Sequence, residues 1–325
     1  MLHTIRSRST ATLKGGKGTS RITLGIGDDC ALLRPRAGEE LAVTTDLSIE
    51  GRHFRQEWHP PESVGHRTLA RGLSDLAAMG ARPVAAFLSL GLPQEMTIAP
   101  EGSKAWVERF LDGLFSLAAE CNVPLAGGDL AESPVAIADI VLTGAVRQGK
   151  ALLRSGAQPG DGIYVTGTLG GSAAELLALE KSPRSFAGCT QAGMDHPHLY
   201  PQPRIAQGLW LRKQGLASAA MDLSDGLSTD LTHLCTESGV AAEVDAEALP
   251  LDPGATLAMA LHGGEDYELL FTASASAKIP IRIAGVPVTR IGRIRKISIG
   301  QPQIVLLTKD KSEPLHPRGW QHFTG

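Results

Sequence analysis

The chain has 325 residues, 42% of them hydrophobic and 20% charged, with 31 Lys and Arg against 34 Asp and Glu. That length gives bulk for about two domains with cores of their own, and the composition excludes a disordered chain, which is poorer in apolar residues and further from charge balance. A net charge of −3 leaves no basic excess to hold a nucleic-acid backbone, so no nucleic-acid partner is expected.

No apolar run approaches the ~20 residues that span a bilayer, so no membrane partner is expected either. The first 21 residues are basic and rich in Ser and Thr, without an apolar segment, which argues against a secretory signal. A transit peptide has a similar composition, and of the two readings residues 1–23 are expected as a loose tail. Cys30, Cys121, Cys189 and Cys235 form no C-x-x-C pair, which excludes a zinc ribbon and fits reduced thiols in a cytoplasmic protein.

Along the chain, 41–45 (LAVTT) reads as a short β-branched strand that stops at Asp46. Pro60-Pro61 opens a helix whose apolar residues recur to Met79, with Gly80 as its stop. Residues 84–90 read as a buried strand, 106–121 as an amphipathic helix and 135–146 as a strand. Beyond a boundary placed near residue 150, a strand over 163–166 runs through a glycine-rich turn into a helix from Ser172. A helix over 201–213, a strand over 218–223 and a helix over 227–237 follow. Further strands are predicted at 241–244, 267–271 and 288–294. The alternation predicts a two-domain protein of α+β and α/β type, divided as 1–150 and 151–325.

Chemistry concentrates in aspartates beside glycines and small residues at the ends of apolar runs. They are Asp28 and Asp29 in GIGDDCALL, Asp46 in TTD, Asp75 in LSDLAAMGA, Asp129 in GGD, and Asp222 and Asp225 in MDLSDG. Carboxylate oxygens with glycine beside them suit hard cations. A phosphate substrate among carboxylates needs Mg²⁺ between the two sets of anions. Each aspartate also has a plain structural reading. Asp28 and Asp29 suit a turn, Asp75 suits a pair with Arg71 one helical turn back, and Asp222 and Asp225 suit the cap of the next helix. The absence of G-x-x-x-x-G-K-[ST] speaks against a P-loop kinase. The segment 165–174 (VTGTLGGSAA) either aims backbone N–H groups at an anion or simply packs helix on strand. No zinc spacing occurs among the ten histidines, and no G-x-S-x-G marks a catalytic serine.

The motifs GIGDDCALL, TTDLSIEGRHF, LSDLAAMGA, GGD, VTGTLGGSAA, MDLSDGLSTDL, GGEDYELLFT and PRGWQHF stand in an order that resembles the bacterial thiamine-monophosphate kinases, from about residue 24 onward. The resemblance implies the fold shared with aminoimidazole-ribonucleotide synthetase. In that fold an N-terminal α+β domain binds metal and ATP and forms a homodimer through its sheet, and a C-terminal α/β domain closes the nucleotide and substrate site. The implied reaction is ATP-dependent phosphorylation of thiamine monophosphate to thiamine diphosphate, with several Mg²⁺ ions. Motif by motif, the resemblance implies a magnesium set of Asp29, Thr44, Thr45, Asp46, Asp75, Asp129, Asp222 and Asp225. It implies ATP contacts at Gly128, Asp129, Arg154 and Ser224, and contacts to thiamine monophosphate at His53, Glu265 and Trp320. Trp320 suits stacking on a heteroaromatic ring, and Glu265 answers a cationic thiazolium. An acceptor phosphate is already ionised, so no general base is expected.

The sequence departs from the family in four places. The basic tail replaces the usual N-terminal helix, and Leu111 stands where some members carry an ATP-contacting tyrosine. Gly171 stands where Asp is common, and His198-Leu199-Tyr200-Pro201 replaces a basic His-x-Arg-Pro stretch. Two other readings are open: another ATP-using enzyme of the same fold, or a catalytically impaired nucleotide-binding relative. The Glu265 motif and Trp320 speak against the first, and the retained carboxylates speak against the second.

Overall fold

The computed structural model describes residues 5, 7–9, 21–186, 188–189, 196–309 and 311–320. It forms two compact units, one of Met1–Leu76, Arg82–Gln148 and Ala178–Tyr200, the other of Ala77–Ala81, Gly149–Leu177 and Pro201–Gly325. The sequence suggests one boundary near residue 150, yet Ala178–Tyr200 belongs with the first unit. Packing gives the reason. Leu179, Leu199 and Tyr200 bury against Trp58 and Phe186. His198 Nε2 lies 3.1 Å from His59 Nε2, and Arg67 donates to the His198 carbonyl.

The first unit contains β1 (Ile22–Leu24), β2 (Leu32–Leu33), β3 (Glu39–Ile49), α1 (Pro61–Ala78), β4 (Arg82–Leu92), α2 (Trp106–Glu120), β5 (Leu125–Glu132) and β6 (Ile137–Arg147). Its main sheet has the order β3-β6-β4-β5, and only β4–β5, joined through α2, is a parallel pair. Leu69, Leu73, Phe110, Leu114, Ile140 and Leu142 are fully buried. The two helices touch at glycines. A Cβ on Gly65 would overlap the Phe110 carbonyl, and one on Gly113 would overlap the Glu62 carbonyl. A glycine inside a helix costs up to about 1 kcal/mol against alanine; here that cost is offset by the close approach it permits.

Three sequence expectations change in this unit. The strand predicted to stop at Asp46 runs on to Ile49, because β6 pairs with it residue for residue from Glu39↔Arg147 to Ile49↔Ile137. The GGD motif lies within β5, a strand that its glycines conceal. Gly128 adopts φ 147° there, too close to the Leu88 carbonyl for any side chain. Part of the expected loose tail is held: Ile5 is buried, Arg8 pairs with Asp112 at 2.9 Å and covers the Phe115 ring, and the Ser9 hydroxyl donates to Leu125. The rest of the tail, residues 1–4, 6 and 10–20, lies outside the described residues, as does the QHF of the C-terminal motif.

The second unit contains β7 (Gly162–Thr166), the start of α3 (Gly171–Lys181), α4 (Ile205–Gln214), β8 (Ala217–Asp222), α5 (Leu227–Ser238), β9 (Ala241–Asp245), α6 (Leu257–His262), β10 (Leu269–Ala273), β11 (Arg282–Ile283), β12 (Val286–Arg295), β13 (Ile304–Leu307) and β14 (Ser312–Pro314). The strand order is β14-β13-β9-β12-β7-β10-β8, with β11 paired to β12. Only β13–β9 is parallel. The sheet is covered on both faces. Leu270 of β10 packs with Ile163, Val165, Met221 and Leu231, while its neighbours Leu269 and Phe271 pack with Leu211 and Ala220. Helix α4 begins at Ile205 and not at 201, since Pro203 keeps the residue before it out of the helical region. The expected class, two domains of mixed α and β, is the one observed.

Candidate active site

Alternation along β3 decides which of its side chains act together. Leu41, Val43, Thr45 and Leu47 are exposed, while Ala42, Thr44, Asp46 and Ser48 are more buried on the other face. The Thr44 hydroxyl donates to Asp75 of α1. Arg71, one turn earlier on α1, places Nη2 3.5 Å from Asp46 Oδ1 and donates through Nη1 to Leu47 O at 3.2 Å and Ser48 Oγ at 3.4 Å. Thr44, Asp46, Asp75 and Arg71 therefore form one polar group between strand and helix. Burial pushes the Asp46 carboxyl up to about 6; the charges of Asp75 and Asp139 add to the rise and Arg71 opposes it. A carboxylate so placed gains from an added cation. The Thr45 hydroxyl stands on the opposite face of the strand.

The other predicted residues of this unit lie apart from that group in the chain. Asp29 is exposed in a turn, its N–H donating to Asp28 Oδ1 at 2.9 Å. Gly128 and Asp129 are exposed on β5, where Asp129 Oδ1 accepts from the Leu130 N–H at 2.9 Å. His53 accepts from the Ile49 N–H at 3.0 Å through Nδ1. Leu111 is 1% exposed, a core residue of α2 that presents no surface to a nucleotide.

In the second unit, β8 delivers Asp222 to a loop that carries Ser224 and Asp225 into α5. Neither loop aspartate is the cap seen here. Asp230, within α5, accepts from the N–H groups of Asp225 and Gly226 at 3.0 Å each. Burial pushes Asp230 up to about 8, with Asp222 and Asp225 adding to the rise and the two N–H groups opposing it. The loop is stitched to the GGEDYE segment: Glu265 N–H donates to Ser224 O at 2.8 Å, Tyr267 N–H to Leu223 O at 2.9 Å, and Leu223 N–H to Glu268 O at 2.8 Å. Glu265 (φ 65°) and Tyr267 (φ 51°) take the left-handed conformation, a costly state that accumulates at functional sites. Trp320 N–H donates to Asp225 O at 3.1 Å, and the residue is 48% exposed. Ser224, Asp225, Glu265 and Trp320 thus meet through backbone hydrogen bonds. Arg154 is exposed in the loop before β7, where its carbonyl accepts from the Ser238 hydroxyl at 3.0 Å.

The glycine turn after β7 gives two of its N–H groups to a carboxylate of the chain itself. Its Gly170 and Ser172 N–H groups donate to Asp266 at 2.8 and 3.2 Å. Asp266 comes from the GGEDYE segment, and burial pushes its carboxyl up to about 7. Glu268 in turn takes Arg204 Nε at 2.6 Å, Arg204 Nη2, and the Thr166 hydroxyl at 2.6 Å. The three acids of one short segment have three separate settings.

The family model for the N-terminal domain of AIR synthase related proteins matches residues 27–146, and that for the C-terminal domain matches 158–295. Over 285 residues the chain is 42% identical to the thiamine-monophosphate kinase of Salmonella typhimurium, covering 84% of each. The chain belongs to the thiamine-monophosphate kinase family. The solved thiamine-monophosphate kinase of Stenotrophomonas maltophilia K279a is 39% identical, with a TM-score of 0.74 over 96% of both chains. AaThiL complexed with AMPPCP and TMP is 32% identical, with a TM-score of 0.72 over 89% of both. As a thiamine-monophosphate kinase the chain is a phosphotransferase.

Sequence reading of this kinase passed over Arg71 as more than a partner of Asp75, and over Asp230, Asp266, Glu268 and Arg204. Asp230 had a signal, since it stands four residues after Gly226 at a helix start. The Asp266 contacts join residues 94 and 96 apart in the chain, and no local pattern announces such a pair.

Proposed function

We propose that this kinase transfers the γ-phosphoryl group of ATP directly to the phosphate of thiamine monophosphate, giving ADP and thiamine diphosphate. Placing Glu265 and exposed Trp320 beside the Ser224–Asp225 loop is the observation that carries the reading. An aromatic face and a carboxylate together suit a cationic heteroaromatic ring, and the loop beside them suits the phosphate end. AaThiL complexed with AMPPCP and TMP supports the same pairing of nucleotide and monophosphate.

The acceptor oxygen is already anionic, so no side chain has to remove a proton. What the protein supplies is position and charge. Ser224, Gly128, Asp129 and Arg154 are proposed to contact ATP, and His53, Glu265 and Trp320 to contact thiamine monophosphate. No side chain is invoked as a phospho-acceptor, and no phosphoenzyme is expected.

The donor chemistry fits Mg²⁺. Among the described residues no three His, Cys, Asp or Glu side chains close a cage by themselves. Small groups of carboxylates suit an ion that keeps several waters and completes its shell with substrate phosphates. We assign Thr44, Asp46 and Asp75 in the first unit, and Asp222 and Asp225 in the second, as side chains that would hold it; Asp29, Asp129 and the backbone of Thr45 complete the proposed set. When bound, Mg²⁺ supplies the positive charge that lets carboxylates and phosphates share a site. Charge crowding at Asp46 and Asp230 supports this assignment.

Two further features follow from the same reading. Edge strand β3 exposes Leu41, Val43 and Leu47, an apolar row that suits a homodimer formed through this sheet. Light scattering at micromolar concentration is expected to give twice the chain mass, and a monomer overturns it. A cytoplasmic location is proposed from the reduced thiols; no described helix is long and apolar enough to cross a membrane. The function itself is tested by coupled ADP release. Release is expected only when thiamine monophosphate and Mg²⁺ are both present. ADP release that ignores thiamine monophosphate, or none at all, overturns the proposal.

A further inference from the structure

Trp320 is proposed above to contact thiamine monophosphate, and the structure shows what holds its backbone. Three successive N–H groups of the C-terminal segment dock on the start of α5. Arg318 N–H donates to Ser228 Oγ at 3.3 Å, Gly319 N–H to Thr229 Oγ1 at 3.1 Å, and Trp320 N–H to Asp225 O at 3.1 Å. The approach is close: a Cβ on Gly319 would overlap Asp225 O and stand 2.7 Å from Thr229 Oγ1. Arg318 and Trp320 are themselves exposed, so hydrogen bonds and not apolar burial make this attachment.

The hydroxyls at the docking site are set apart from others of the same helix. Thr232 and Thr236 turn back and donate to carbonyls four residues earlier, at 2.7 and 2.8 Å. That is the ordinary use of a helical threonine. Thr229, 8% exposed, instead accepts from a segment 90 residues further along the chain. Ser228, fully buried, also lies 2.9 Å from His262 Nδ1, which fixes its hydroxyl from the other side. The bond from Trp320 N–H to Asp225 O ties the ring and a proposed metal carboxylate to a single loop residue.

We propose that Thr229, steadied by Ser228, is a positioning residue for the acceptor substrate: its hydroxyl fixes Gly319 and thereby the place of the Trp320 ring. The proposal rests on the reading of Trp320 as a contact to thiamine monophosphate. It makes substrate preference depend on a hydroxyl that touches no substrate.

The test compares Thr229→Val, which keeps shape and removes the acceptor, with Thr229→Ser, which keeps it, and with Trp320→Ala alone and combined with Thr229→Val. KM for thiamine monophosphate, KM for ATP and melting temperature are measured on each preparation. Trp320→Ala is expected to raise the KM for thiamine monophosphate about tenfold, with the KM for ATP within about twofold. Thr229→Val is expected to raise it about fivefold, the scale of one hydrogen bond. Thr229→Ser should stay within about twofold of the parent, and the double variant should match Trp320→Ala. An unchanged KM in Thr229→Val beside a raised one in Trp320→Ala overturns the proposal and leaves the reading of Trp320 intact. An inert Trp320→Ala overturns that reading instead. Equal rises in both KM values, or effects that add in the double variant, assign Thr229 a structural role and overturn the proposal. Gly319→Ala, whose Cβ would press on Asp225 O and Thr229 Oγ1, displaces the docked segment from its other side and serves if Thr229→Val does not fold; it must raise the KM for thiamine monophosphate and leave that for ATP within about twofold, and equal rises or no rise overturn the proposal.

Discussion

The acidic groups of the two units are built in opposite ways. In the first unit Thr44, Asp46 and Asp75 sit on a regular strand and a regular helix, so their directions follow from the pleat of β3 and the pitch of α1. In the second unit Asp225, Glu265 and Trp320 sit on irregular backbone, held by hydrogen bonds between main-chain atoms far apart in sequence. A side chain on a regular element is removed without moving its neighbours. A side chain on stitched loops depends on main-chain partners far away in the sequence.

The largest expected effect tests the regular side. Asp46→Asn keeps shape and removes a charge that burial and two neighbouring carboxylates already disfavour. Turnover is expected to fall by at least ~100-fold if this carboxylate holds Mg²⁺. Melting temperature should stay level or rise, because the ionised form costs stability near pH 7. A destabilised but fully active variant breaks the assignment. The two threonines sharpen it on the same preparations: Thr44→Val is expected to lose roughly tenfold and Thr45→Val almost nothing, since their hydroxyls occupy opposite faces. Equal losses would mean that alternation does not govern the site.

A smaller effect tests the stitched side. Asp266 is pushed from an ordinary 3.8 up to about 7 by burial, with the Gly170 and Ser172 N–H groups opposing the rise. A carboxyl raised on folding adds stability that is full below about pH 4 and is lost as pH rises through about 7. Melting temperature of the parent should therefore decline between pH 5 and pH 8, and Asp266→Asn should flatten that decline. Identical slopes in thermal melts would remove Asp266 from the account.

Regular elements were the legible part of the chain. The apolar periodicity of α1 and α2, the apolar run of β4, and the β-branched runs of β6 and β7 carry their own signals, and the structure moves their ends by only a few residues. Legibility failed where tertiary pairing overrides local composition. β3 outlasts its apolar run because β6 pairs with it to the end, and β5 is a strand despite Gly127-Gly128 because β4 lies beside it. The acidic residues were legible as a set, through motif order, but not in their settings. From GGEDYE the motif order singles out Glu265 alone, while folding sends Asp266 to a helix start and Glu268 to Arg204. Docking of Gly319 on Thr229 joins positions 90 apart and leaves no local trace.

Helices α1 and α2 meet backbone to backbone at Gly65 and Gly113, with no room for even a methyl group. Arg71 and Asp75 ride on α1, so the acidic face is geared to a contact that has no slack. A lineage drifting toward a different acceptor cannot retune that face by sliding the helix, since every small step meets a carbonyl oxygen. In the second unit the contact without slack falls on the C-terminal segment, where a Cβ on Gly319 would overlap Asp225 O, so there a loop and not a helix is what is fixed. A change at either contact thus has to displace main chain before it can redirect a side chain.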